Sequence, residues 1–460
     1  MSATELNSQI LREYDIRGIV NKTITIEDAI VVGRSFGTIV AEKGGKSVCI
    51  GYDGRISSPA LERAVVKGLQ SCGLSVIRIG VGPTPMLYFA VHDLRADAGI
   101  MVTGSHNPPE YNGFKMMLNR RPFYGDDIIK IGKVAASGRF FIGEGNAEEV
   151  SIQTRYVARL RADYGGGRPL KIAWDAGNGS AGPVMCDLCS ALPGNHILIN
   201  ETIDGTFPSH HPDPTVPECL EQLQGIVKSE GCDLGIAFDG DGDRIGAIDS
   251  EGQILWGDQL MMLFATDLLQ EFPGSTIIAD VKASQALFDK ISQLGGTPLM
   301  WRTGHSLIKA KMAETRALLA GEMSGHIFFA DKYFGYDDAL YAAVRLINFI
   351  SSQVKSLAEI RSHFPEFVNT PEIRFACGDR DKFEVVDKIL TRMRSRSAEI
   401  NDVDGIRVKT NDGWWLLRAS NTEDVLVARL ESENVAGLDR LRKTLLDELL
   451  ECGIKPPSNF

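Results

Sequence analysis

Short apolar runs that end in glycine-rich polar loops, each followed by an amphipathic stretch, recur along this chain. Residues 47–51 read as a buried strand that runs into Asp53-Gly54-Arg55. Ser58-Pro59 then supplies a cap and a first-turn proline, which predicts an amphipathic helix through about Ser71. A second strand is expected at 75–79, after which Thr84-Pro85, again cap plus proline, opens a helix to about His92. The run Ala98-Gly99-Ile100-Met101-Val102 delivers the tight turn Thr103-Gly104-Ser105-His106-Asn107-Pro108. The rhythm restarts at 170–175, turns through Gly177-Asn178-Gly179, and reaches Leu234-Gly235-Ile236-Ala237-Phe238 ahead of an acidic loop. A third pass starts at 276–282, crosses Thr303-Gly304-His305-Ser306, and ends with Leu318-Leu319-Ala320 before Gly321-Glu322-Met323-Ser324-Gly325-His326. Polar loops that follow strands are the expected geometry of an α/β sheet, whose ligands sit beyond the carboxyl ends of the strands.

From about residue 367 the order changes. Helical patterns over 379–397 and 436–452 flank strand-like runs near 405–410, 414–418 and 425–431, which predicts a smaller α+β domain. Its loop Arg418-Ala419-Ser420-Asn421-Thr422 is dense in donors suited to a phosphate. A chain of 460 residues exceeds what one core serves, so two to four domains are expected.

Composition narrows the picture little. The chain is 43% apolar and 24% charged, ordinary for a globular protein, and no apolar run approaches the roughly 20 residues of a membrane span. The start, Met1-Ser2-Ala3-Thr4-Glu5, lacks a basic end and an apolar h-region, and eight scattered cysteines argue for reduced thiols; a cytoplasmic location is expected. Cys186 and Cys189, three apart in an expected helix with no second pair to follow, read as packing residues. A net charge of −11 disfavours nucleic acid and anionic membranes. An anionic small substrate then needs a locally basic cleft.

Ser105 sits where its hydroxyl stands clear of the backbone, able to be modified or to attack; ordinary turn chemistry is the competing reading. His106 either orients that hydroxyl or is a loop histidine. No G-x-S-x-G elbow is present, which counts against an esterase-like triad. In Asp239-Gly240-Asp241-Gly242-Asp243-Arg244, three carboxylates spaced by glycines follow an apolar strand and can reach one hard cation such as Mg²⁺. An EF-hand is excluded because loop position twelve falls on Ser250. Arg244 is expected to hold the cluster or a phosphate. Glu322 and Ser324, with His326 on the same loop, offer the acceptor and donor that vicinal sugar hydroxyls require. Arg17, Lys115, Lys282 and Arg418 adjoin strand-end loops; singly each reads as a surface charge, together as the positive cleft an acidic protein needs for a phosphosugar.

Four motifs, around Ser105, Asp239, Glu322 and Arg418, stand in one order, and with Tyr14-Asp15-Ile16-Arg17-Gly18 they resemble the α-D-phosphohexomutases over nearly the whole chain. The likeness is to the bacterial phosphomannomutase/phosphoglucomutase branch. The resemblance implies three mixed α/β domains (1–150, 151–253, 254–366) and a C-terminal α+β domain (367–460) that closes over a central cleft. It implies Ser105 carried as a phosphoserine, with Mg²⁺ held by the Ser105 phosphate, Asp239, Asp241 and Asp243. Glu322 and Ser324, on a loop with Met323 and Gly325, would contact the sugar, and Arg418, Ser420, Asn421 and Thr422 the remote phosphate. Tyr14, Arg17, Lys282 and His305 are carried over as cleft contacts, Lys115 and His326 as proton-transfer groups, with His106 and Arg244 beside the reacting serine. A hexose 6-phosphate and hexose 1-phosphate would exchange through a glucose or mannose 1,6-bisphosphate that also serves as activator, in a monomer or weak oligomer. The rivals are a phosphoglucosamine mutase, against which Met323 counts, a Mg²⁺-dependent sugar phosphatase with an aspartyl nucleophile, and a sugar-phosphate-binding regulator. Glu423-Asp424 departs from the family pattern and weakens anion binding unless both side chains point outward.

Overall fold

The computed structural model describes residues 5–378, 380–421 and 423–455. Four sheets follow one another along the chain. The first has seven strands, with Ala98–Val102, Ser47–Tyr52 and Ser75–Val81 parallel at its centre and Tyr111–Leu118 and Ile16–Ile19 added antiparallel. The second centres on Leu170–Asp175, flanked by the parallel strands Gly194–Ile199 and Leu234–Phe238. The third carries Thr276–Asp280 between Thr297–Trp301 and Leu319–Gly321, again parallel. The fourth, built on Ile406–Thr410, Gly413–Ala419 and Leu426–Ser432, is antiparallel throughout.

This is a mixed α/β architecture in four domains. Ala98–Val102 and Leu234–Phe238 are buried at every residue, as strands covered on both faces must be, and this explains their unbroken apolar runs. Helices on the two faces join the first three sheets into one continuous apolar core that extends from Cys49 to Leu357. The tail has a core of its own, made by helices Lys382–Ser395 and Val435–Glu451 against its sheet. It is stitched to the third domain by buried arginines: Arg407 donates to the carbonyls of Val281 and Ala283 at 2.7 and 2.8 Å, and Arg429 to that of Lys282 at 2.5 Å.

Two expected caps differ. Helix Ser58–Gln70 is preceded by Ser57, and helix Thr84–Asp93 by Pro83, so Ser58 and Thr84 lie inside the first turn rather than at the cap. Both hydroxyls serve buried carboxylates instead, Ser58 Oγ donating to Asp53 Oδ1 and Thr84 Oγ1 to Asp241 Oδ2, each at 2.5 Å. A charge-assisted bond inside the protein outweighs a cap that backbone geometry and proline already supply. The tail helix starts at Lys382, with Asp381 accepting from the amides of Phe383 and Glu384; Asp379 lies outside the described residues. All eight cysteines are free thiols, and Cys189 is buried as packing requires. Among the described residues no helix is long and apolar enough to cross a membrane.

Candidate active site

The turn after Ala98–Val102 is held by one buried guanidinium. Arg55 Nη2 donates to the carbonyls of Ser105 and Asn107, both at 2.6 Å, Nη1 to those of Pro108 and Tyr111, and Nε to Asp53 Oδ2 at 3.1 Å. The fork is thereby fully used. A side chain at Gly104 would meet Arg55 Cζ at 2.5 Å, so the turn accepts only glycine there. Thr103 Oγ1 accepts the Ser105 amide at 2.8 Å. Ser105 itself lies in the left-handed region at φ +51°, a conformation that costs a non-glycine residue about 1 kcal/mol or more. Its hydroxyl, nearly buried, donates to Asp239 Oδ2 at 3.3 Å and has His106 Nδ1 at 3.2 Å. Burial, reinforced by Arg244 and Arg17, holds the His106 pKa well below the ordinary histidine range, so the ring beside the serine is neutral.

The acidic loop locks into that turn. A Cβ on Gly240 would sit 2.5 Å from the Ser105 carbonyl, which is why the loop needs glycine at the crossing. Asp239, Asp241 and Asp243 are wholly buried and offer oxygens within 4.8 Å of one another. One oxygen each of Asp241 and Asp243 is taken: Lys115 Nζ lies 2.8 Å from Asp241 Oδ2 and 2.5 Å from Asp243 Oδ2. Asp241 Oδ1 and Asp243 Oδ1 have no protein partner. Two orphaned carboxylate oxygens in an oxygen-only cage fit a hard divalent cation. Burial and the neighbouring carboxylates raise the pKa of Asp239. Asp241, which burial alone would raise, is instead held down by the Lys115 ammonium, and the same pairing outweighs burial at Lys115 and keeps it protonated.

Asp243, His326 and Asp337 form a second group whose ligand atoms lie within 4.8 Å of one another. His326 Nε2 accepts from Arg244 Nε at 3.0 Å, so in the neutral ring Nδ1 carries the proton, 3.2 Å from Asp337 Oδ2. His305 stacks on His326 with ring centroids 5.3 Å apart, and its Nδ1 also faces Asp337 Oδ2, at 3.3 Å. Lys309 completes this buried knot, donating to Asp337 Oδ1 at 2.7 Å.

On the loop after Leu319–Gly321, Glu322 Oε1 accepts the Gly304 amide at 2.6 Å, and Met323 and Ser324 face the cleft. Gly325 makes the turn, at φ +85°, where an added Cβ would meet the Ile245 carbonyl at 2.4 Å. Lys115, Lys282 and Arg418 are buried and Arg17 is half-buried, and each is partnered. Arg17 donates to Asp15 and Asn107, Lys282 to Glu372, and Arg418 to Asp404. Asn421 Nδ2 donates to the Tyr14 hydroxyl at 2.8 Å, which donates in turn to the Thr303 carbonyl at 2.9 Å. Ser420 is buried at the same wall, and Thr422 lies outside the described residues. Glu423 lines the cavity but is paired with Arg374 at 2.7 Å, and Asp424 is almost fully exposed. These side chains meet in one cavity of about 900 Å³ that draws on all four domains, with the acidic loop beneath it.

The roles of Arg55, Thr84, Thr103 and Asp337 escaped the sequence reading. Arg55 left a signal in Asp53-Gly54-Arg55 after a strand, Thr103 opens the serine turn and Thr84 reads as a cap; Asp337 shows as the first of two consecutive acids with nothing to mark it.

A serine hydroxyl set against a hard-cation cage, in a cleft rimmed by buried lysine and arginine, defines a phosphoryl-transfer enzyme. Comparison with known proteins agrees. The four families "Phosphoglucomutase/phosphomannomutase, alpha/beta/alpha domain" I, II and III and "C-terminal domain" match residues 8–139, 154–252, 256–367 and 372–448. The chain is 42% identical to the phosphomannomutase/phosphoglucomutase of Pseudomonas aeruginosa, covering 97% of this chain and 96% of that one. It is 40% identical to a phosphoglucomutase of Neisseria meningitidis over 94% and 95% of the two chains. A crystal structure of a phosphoglucomutase/phosphomannomutase family protein from Burkholderia thailandensis superposes with a TM-score of 0.94 at 41% identity, covering 98% of this chain and all of that one. The chain belongs to the phosphoglucomutase/phosphomannomutase family, the α-D-phosphohexomutases.

Proposed function

We propose that this protein interconverts hexose 6-phosphates and hexose 1-phosphates, with mannose and glucose both as substrates. The observation that carries the reading is Ser105 Oγ, 3.3 Å from Asp239 on the floor of a basic cavity large enough for a phosphosugar. In its working form Ser105 is a phosphoserine. The seryl O–P bond breaks as a sugar hydroxyl oxygen bonds to phosphorus, giving a sugar 1,6-bisphosphate; that intermediate turns end for end and returns its other phosphoryl group to Ser105. We assign proton transfer to Lys115, which gives its proton to the leaving seryl oxygen, and to His326, whose unprotonated Nε2 takes the proton of the attacking sugar hydroxyl. Mg²⁺, held by Asp239, Asp241, Asp243 and the Ser105 phosphate, would supply charge neutralisation for the transferring group.

Glu322 and Ser324 read two ring hydroxyls and leave C2 unread, which accounts for the acceptance of both epimers. Arg418, Ser420 and Asn421 grip whichever phosphate is not reacting, and Tyr14, Arg17, Lys282 and His305 line the path between. The protein works in the cytoplasm as a monomer or weak oligomer. The test is a steady-state assay on glucose 1-phosphate and mannose 1-phosphate with trace bisphosphate, with and without chelator. Both sugars are expected to yield the 6-phosphate in a metal-dependent way, and Ser105→Ala to lose roughly a thousandfold or more of turnover. Release of inorganic phosphate without isomerisation would instead make the protein a phosphatase.

A further inference from the structure

A second cavity, of about 690 Å³, lies between the first and third domains and shares Tyr14, Lys115 and His305 as a wall with the substrate cleft. In a chain of net charge −11 its lining is basic. Lys115 and Lys309 are neutralised by buried aspartates, and the one acid, Glu314, is paired with Lys311. Three cations remain: Arg120 and Arg121 from the first domain and Arg316 from the third. Among the described residues none of them has a carboxylate within ion-pair reach. Arg120 and Arg316 stand at φ +58° and +56°, where glycine or asparagine is the ordinary choice. A helix C-terminus welcomes a cation at 316, yet nothing in the turn at 120 calls for one.

The same cavity holds an aromatic face. Phe334, 41% exposed, is parallel to Tyr336 with centroids 5.8 Å apart, His92 lies 4.7 Å from Phe334 at a tilt of 34°, and the Arg159 guanidinium lies over the Phe334 ring at 5.7 Å. Burial, with Arg120 nearby, pushes His92 down to about 4, so this ring is uncharged at neutral pH. Guanidinium forks select phosphate oxygens, and an exposed ring beside them selects a planar ring.

We propose that this cavity is a second ligand site, separate from the substrate cleft, which takes a nucleoside phosphate: the phosphate on Arg120, Arg121 and Arg316, the base against Phe334. A ligand so placed bridges the first and third domains and fixes their spacing at the wall that carries Lys115 and His305. Titration calorimetry of the full-length protein with ADP in metal-free buffer tests it. One ADP is expected per chain, with affinity reduced about tenfold or more in R121A/R316A and unchanged in R418A. F334A, which leaves the cations in place, is expected to weaken ADP while sparing inorganic phosphate, and so guards against a double variant that fails to fold. No ADP binding at millimolar concentration would overturn the proposal. So would loss in R418A with retention in R121A/R316A, which puts the nucleotide in the substrate cleft, or equal affinity for ADP and inorganic phosphate, which leaves the aromatic face without a role.

Discussion

The two ends of the cleft are held in opposite ways. At the Ser105 end, Arg55 spends every donor on the turn and its carboxylate, Thr103 fixes the Ser105 amide, and the acidic loop crosses at a glycine with no room to spare. At the Arg418 end, the loop rests on Asp404, on the bond from the Glu423 amide to Ser420 Oγ at 3.2 Å, and on the contact of Asn421 with Tyr14. Phosphoryl transfer demands a fixed line of approach, which the first arrangement supplies. A grip that must let an intermediate go and take it back in reverse needs the second.

Removing Arg55 should break the contrast most severely. Arg55→Ala strands a buried Asp53 carboxylate and four carbonyls, and a loss of about 3–5 kcal/mol in urea unfolding is expected. A loss under about 1 kcal/mol would mean that the turn holds itself. A carboxylate on the gripping side gives the next effect. Burial, against the pull of Lys282, raises Asp280 to about 6, above its unfolded value near 3.9. Between those values the folded state binds more protons, so stability should fall as pH rises from about 4 to about 6. Asp280→Asn should flatten that slope, worth on the order of 2–3 kcal/mol, in melts across the window. The smallest effect is expected at the phosphate loop itself. Arg418→Ala removes binding common to ground and transition states, so KM should rise roughly tenfold while kcat holds. A drop in kcat of the same size would assign Arg418 to the chemical step and sharpen the comparison in the other direction.

The fold was legible because its parallel strands are buried on both faces and run into glycine-containing loops, so Ala98–Val102 and Leu234–Phe238 stand out as unbroken apolar runs. The loops after them carried their chemistry in adjacent residues and could be read directly. What stayed hidden is held across distance. Thr84 looks like a cap until Asp241, far along the chain, takes its hydroxyl. Asp337 means little until the fold sets it against His305 and His326 together. The basic residues looked like surface charges because their partners, Glu372 for Lys282 and Asp404 for Arg418, lie in other segments.

Tyr14 has a consequence for motion. The C-terminal domain is sewn to the third through buried arginines, and Asn421 hydrogen-bonds the Tyr14 phenol of the first. Parting the rims at this point breaks one neutral hydrogen bond, about 1 kcal/mol. The phenol works as a light latch, and a tumbling bisphosphate gains room for the price of that one contact.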